Sequence, residues 1–197
     1  MKLPVQVLAF VPVLFSGCAN PTFSNQRQDF VPAGWSRVAI MPFAGDTRFT
    51  DAATQSFAIH ILNVPEFRII QPSSVSVSMR KLGIAPTENG FTVLEAQKVG
   101  RAIDAEAVIV GTVTSYNNGI TLNGFCTAQI VDVASGEIVG ASHHPSGLLI
   151  GNSEHHAVMS ATERTGKEVL KMLEDLSRKN VRNTRSPADT DPKTRRL

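Results

Sequence analysis

The side chains best suited to chemistry in this chain are five histidines and two cysteines. Four histidines form adjacent pairs, His143-His144 and His155-His156. Imidazole is the commonest transition-metal ligand and titrates near neutral pH, so two such pairs raise the prospect of a metal or pH-sensitive site where a strand ends and a helix begins. A closed site needs about four convergent ligands. Adjacent histidines point to opposite faces of a strand, and on a helix they diverge by about 100°. No cysteine or carboxylate has matching spacing, so the four read as polar loop and helix-start residues, and no metal is expected. His60 reads as a surface or boundary residue. Ser135-Gly136 lacks the Gly-x-Ser-x-Gly frame of a nucleophile elbow. Gly45 alone is not a phosphate loop, and Asp46, Asp51 and Glu66 read as solvated carboxylates. No catalytic residue is assigned, and a non-enzymatic protein is expected.

Cys18 has the clearest chemistry. Lys2 gives a positive start, and Leu3 to Phe15 form an apolar run of 13 residues, interrupted by Pro4, Gln6 and Pro12. That length fits a signal-peptide core and is too short to span a bilayer. Ser16 and Gly17 follow, then Cys18. This ending resembles a bacterial lipoprotein signal, with residues 1–17 removed and Cys18 carrying the covalent lipid, the one prosthetic group expected. An ordinary secretory signal with an incidental cysteine is the alternative. Ala19 stands where an Asp favours inner-membrane retention in Gram-negative lipoproteins, so it resembles an outer-membrane address. With Cys18 acylated, Cys126 becomes a small apolar strand residue. A Cys18–Cys126 disulfide is the alternative in an oxidising compartment.

The remaining chain must supply the elements. Residues 18–36 read as a lipidated tether and residues 37–177 as one domain. Strands are predicted at Arg37–Met41, Phe67–Ile70, Ala107–Val110, 120–133 and 137–141. Helices are predicted at 51–63 with Thr50 as cap, at 72–82 between Pro72 and Gly83, from a Thr92/Glu95 capping box to Ile103, and from Ser153 along Val158, Ala161, Val169, Leu173 and Leu176. Ala134-Ser135-Gly136 reads as a hairpin turn. The order predicts an α/β (α+β) single-domain sandwich with a mixed sheet flanked by helices. Residues 178–197 carry seven basic against two acidic side chains, a net of +5, and read as a disordered tail.

Composition excludes several classes. The net charge is only +2 and aromatics are 6%, which argues against a nucleic-acid binder. Gly147-Leu148-Leu149-Ile150-Gly151 places three large aliphatics in a connection. They read either as an edge strand over the core or as a subunit interface.

Four segments resemble, in order, motifs of the CsgG-like outer-membrane lipoproteins. They are Arg37-Val-Ala-Ile-Met-Pro-Phe43, Phe67-Arg-Ile-Ile70, Leu94 to Val113 with its Gly111-Thr112-Val113 ending, and Ala128 to Val139 with Ser135-Gly136-Glu137. The resemblance spans residues 37 to about 176. It implies a fold like that of the curli secretion channel and the amino-terminal domain of TolB, related to the Pel-exopolysaccharide lipoprotein and to activators of peptidoglycan synthases. It implies an envelope assembly or secretion accessory on the periplasmic face of the outer membrane, forming a homo-oligomer or docking on a secretion partner. The curli channel inserts two hairpins per subunit. The segment from Thr112 to Ile120 is short and polar and residues 142–152 cannot supply a long enough hairpin, so a domain without the pore is expected. The alternative is a regulator activating a peptidoglycan synthase. The 16 residues of 19–34 reach at most about 55 Å, which favours the assembly reading.

Overall fold

The computed structural model describes residues 22–32, 34–62, 64–65, 67–119, 121–146 and 153–184. Its elements run β1 (Phe23–Gln26), β2 (Arg37–Ile40), β3 (Ala44–Gly45), α1 (Thr50–Ile61), β4 (Arg68–Ile70), α2 (Pro72–Leu82), α3 (Val93–Ala102), β5 (Ala107–Asn117), β6 (Leu122–Asp132), β7 (Ile138–Pro145) and α4 (Glu154–Thr184). The strands form one seven-stranded sheet in the order β1-β7-β6-β5-β2-β4, with the short β3 beside β5. β2, β4 and β5 are parallel, whereas β6, β7 and β1 join antiparallel. The sheet is mixed and flanked by helices on both faces, as the order of the sequence signals predicts.

Two apolar layers hold it. Val38, Ile40, Ile109, Cys126 and Ile130 meet α1 and α4 through Phe57, Val158 and Leu173. Ala39, Met41, Val108 and Val131 meet α2 and α3 through Val75, Met79 and Val99. Strands covered on both faces need no polar alternation, which is why Ala107–Val110 is wholly apolar. Burying each Val, Ile or Leu contributes about 1.5–3 kcal/mol.

Local chemistry sets the helix ends. Thr92 and Glu95 form the reciprocal capping box of α3. Pro72 opens α2, and Gly83, at φ 66°, closes it in the left-handed region. The Ser153 hydroxyl accepts from the His156 amide at the start of α4. Thr50 is not a cap: it is the first helical residue, and α1 has no side-chain cap. Gly124 is where α4 approaches the sheet most intimately, since a Cβ there would lie 2.4 Å from the backbone of Ala157 and Val158.

Three boundaries differ from the sequence reading. First, the segment read as a tether contains β1 and a buried anchor, Trp35, which is 3% exposed. The Trp35 indole N–H donates to Asp132 at 3.0 Å, and the Asn180 amide donates to the Trp35 carbonyl at 2.8 Å. Phe30 and Phe67 pack on its ring, and Lys179 donates to the Gln28 carbonyl. Second, α4 runs to Thr184, so the first residues read as tail are helical, held by Lys179 and Asn180. Third, β5 continues to Asn117 and β7 to Pro145, so polar residues read as connections are strand. Thr112, Thr114, Tyr116 and His143 lie on the face that no helix covers, whereas Ser115 and Asn117 on the α4 side are hydrogen-bonded to Asp46 and Glu154.

Trp35→Phe keeps most of the apolar bulk and removes the indole donor to a buried carboxylate. A loss of about 1–3 kcal/mol is expected, read as a lower urea midpoint at unchanged slope. An unchanged midpoint would show that the indole does not hold the N-terminal segment down.

Candidate interaction surface

The helices cover the sheet unequally. One face is roofed along its length by α1 and α4. On the other, α2 and α3 reach only β2 and the adjoining ends of β5 and β6. Beyond Val110 the pairing register places Thr112, Thr114 and Tyr116 of β5 beside Thr127, Phe125 and Asn123 of β6, on the face opposite α4. The register continues to His143 of β7 and Phe23 of β1. Phe23 and His143 stack with ring centroids 5.4 Å apart, and His143 stacks on Phe125 at 6.0 Å. The His143 Nδ1 lies 2.8 Å from the Thr127 hydroxyl. Three rings thus lie side by side across three strands, with Phe23 49% and Tyr116 56% exposed. Such pairs contribute about 0.5–1.5 kcal/mol each beyond their buried area.

A polar cluster frames the same end of the sheet. Arg48 pairs with Asp46 at 2.6 Å and with Glu154 at 2.8 Å. Ser115 donates to Asp46 at 3.1 Å, and Asn117 donates to Glu154 at 3.1 Å. The Arg48 guanidinium also sits 4.9 Å over the Phe49 ring. Its hydrogen bonds hold the Asp46 carboxyl below the ordinary carboxylate range. The cluster ties the start of α4 to the end of β5 and to the turn before α1. Asp46 is therefore ion-paired rather than solvated, Asp51 is an exposed residue of α1, and Glu66 lies outside the described residues.

The histidines do not converge. His143 and His144 are strand residues, not loop residues, and point to opposite faces. His144 faces α4, where its Nε2 is buried without a hydrogen-bond partner. Burial pulls its pKa below the ordinary value, with Glu168 opposing and Arg164, His143 and Lys171 reinforcing the shift. His155 packs near Phe49, and His156 lies in the first turn of α4. Among the described residues no group of three or more His, Cys, Asp or Glu is placed to hold a metal ion. His60 is half-buried where α1 crosses α4 beside Gly166.

Cys126 is a free, fully buried thiol of β6. Burial pushes it up to about 12, so almost no thiolate forms near neutral pH. Cys18, Leu148, Leu149 and Ile150 lie outside the described residues. The described residues that flank the three aliphatics, Ser146 after β7 and Ser153 before α4, lie at the end of the sheet where β1 begins.

A second concavity, of about 550 Å³, lies between α1 and α2 at the carboxyl ends of β2 and β4. Pro42, Gln55, Ile59, Leu62, Ser73 and Ser76 line it. The Ser76 hydroxyl is spent on the Pro72 carbonyl at 2.8 Å. The open face offers aromatic area and the α1–α2 concavity offers aliphatic, hydroxyl and amide groups, which is the equipment of binding. The open face was invisible in the sequence, because Phe23 stands alone in a polar run and meets His143 only through strand pairing.

No protein-family model matches the chain, and neither does any curated protein sequence. Several solved structures are similar to it at low identity. A PelC dodecamer subunit from Paraburkholderia phytofirmans is 16% identical over 78% of this chain and 96% of that one, with a TM-score of 0.47. The LpoB C-terminal domain from Escherichia coli is 22% identical over 58% of this chain and 85% of that one, with a TM-score of 0.43. Lipoprotein GNA1162 from Neisseria meningitidis is 13% identical over 56% of this chain and 81% of that one, with a TM-score of 0.44.

Proposed function

We propose that the protein is a non-enzymatic outer-membrane lipoprotein that works by binding, as an accessory of envelope assembly or secretion on the periplasmic face. The observation that carries this reading is the distance from Cys18 to the fold. Phe23 is already paired with His143 at the sheet edge, five residues after the cysteine of the Leu14-Phe15-Ser16-Gly17-Cys18 ending. Five residues span at most about 17 Å. An acylated Cys18 would therefore hold the domain against the bilayer, where it could serve partners at the membrane and could not reach across the periplasm. This counts against the peptidoglycan-synthase regulator more strongly than the longer tether expected from sequence. The segments that resemble CsgG-like lipoproteins also support the reading, because they fall on β2, β4, the α3–β5 unit and the β6–β7 turn of the sheet.

Self-association belongs to this reading, with Leu148, Leu149 and Ile150 as its contact. A stable interface buries about 800 Å² per partner, and a few central aliphatic residues carry most of the energy. Leu149→Asp should convert an oligomer into a folded monomer, seen by sedimentation with an unchanged far-UV circular dichroism spectrum. Loss of the fold would place Leu149 in the core instead.

Cys18→Ala tests the anchor. The variant should move from the outer-membrane fraction to the soluble periplasm and lose its envelope role. Unchanged partition with outer membranes would contradict a lipid anchor.

A further inference from the structure

The topology collects the start of β1, the turn between β5 and β6, the end of β7 and the start of α4 at one end of the sheet. α4 leaves that end and runs for 31 residues, about 46 Å, to the Trp35 anchor at the other. Phe23 and Tyr116 are large aromatic side chains about half exposed at this end, on the face no helix covers. We propose that this aromatic end beds into the headgroup layer of the bilayer, with Phe23 and Tyr116 as its contacts, an inference that rests on Cys18 being the lipid-bearing residue.

The chain outside the structure argues for that occupant. Phe23 stands only five positions after Cys18, so the surface around it cannot stand more than about 17 Å from acyl chains attached there. The chemistry agrees. Aromatic rings with one wet end concentrate at membrane–water interfaces, and Tyr116 carries a phenol whereas Phe23 is wholly apolar. Asn123, Thr114 and Thr127 supply hydrogen-bonding groups between the rings, suited to a hydrated headgroup layer. Asp46, Arg48 and Glu154 are bound to one another, so this end offers no strong single-sign field. The contact is therefore interfacial rather than electrostatic and should not weaken with salt.

Area argues against a second copy on the same patch. An aromatic side chain buries about 150–250 Å² in all, so two half-exposed ones fall far below the ~800 Å² per partner of a stable dimer. A patch too small to bind alone can still orient a domain that a lipid already holds.

The test uses the full mature chain with Cys18 as a free thiol, coupled to a maleimide-headgroup lipid in phosphatidylcholine vesicles. Cys126 is fully buried and its thiol is held protonated, so coupling goes to Cys18. Tyr116→Trp places an indole at the proposed contact, and Trp35, 3% exposed at the opposite end, is the internal reference. Vesicles with brominated acyl chains should quench the introduced indole about twofold, at any salt concentration, because an interfacial side chain lies roughly 5–10 Å into the headgroup boundary. The emission of Trp35 in the unsubstituted chain should not change. Coupled protein whose introduced indole is not quenched, or is quenched no more than Trp35, overturns the proposal. So does a dimer of the uncoupled chain that Tyr116→Asp dissolves, since a second copy would then occupy the face. Chemical coupling replaces acylation, so the contact and the lipid-anchor reading fail separately.

Discussion

The pairing of β1 with β7 is the constraint on which the rest turns. Four residues, Phe23 to Gln26, zip antiparallel against His143 to Gly140 and convert what would be a tether into the edge of the sheet. An isolated four-residue strand gains little on its own. This one is held because the chain beyond it is pinned: Arg27 donates its amide to the Val139 carbonyl and pairs with Glu137, and Trp35 is buried against Asp132, Asn180, Phe30 and Phe67. The exposed Arg27–Glu137 pair contributes little by itself. The buried indole is the anchor.

The second consequence concerns α4. One helix spans the whole molecule, touching β5, β6 and β7 and crossing α1. Its first turn is fixed to the β5 hairpin end through Glu154, and its last turns grip the N-terminal segment through Lys179 and Asn180. The two ends of the fold are therefore rigidly related. The end that receives the chain from Cys18 carries the aromatic face, and α4 ends at the other. A lipid on Cys18 would thus orient the domain as well as attach it.

The sequence made the middle of the fold legible and left its rims obscure, for a physical reason. Ala107–Val110 and Val38–Ile40 are covered on both faces, and a strand in that position can only be apolar. Thr92 with Glu95, Pro72 and Gly83 are local devices whose partners lie within a few residues. The rims depend on distant partners. Phe23-Ser-Asn-Gln26 has no strand signature and becomes a strand only beside β7. Thr112, Thr114 and Tyr116 lie on the open face, and Ser115 and Asn117 meet the distant Asp46 and Glu154, so the segment carries little strand signal. The last turns of α4 are held by Lys179 and Asn180, which meet the carbonyls of Gln28 and Trp35 some 150 positions away. The histidine pairs divide differently. Their failure to converge followed from strand and helix geometry, whereas the stacking of His143 between Phe23 and Phe125 required the register.

A lipid on Cys18 would stand the folded domain directly on the membrane. Neutron reflectivity of the acylated protein on a supported phospholipid bilayer measures this distance. Protein density is then expected to begin within the headgroup layer and rise to about 46 Å, the length of α4 standing on its first turn. A water-filled gap of tens of ångströms between headgroups and protein, or a layer much thinner than α4 is long, would contradict it.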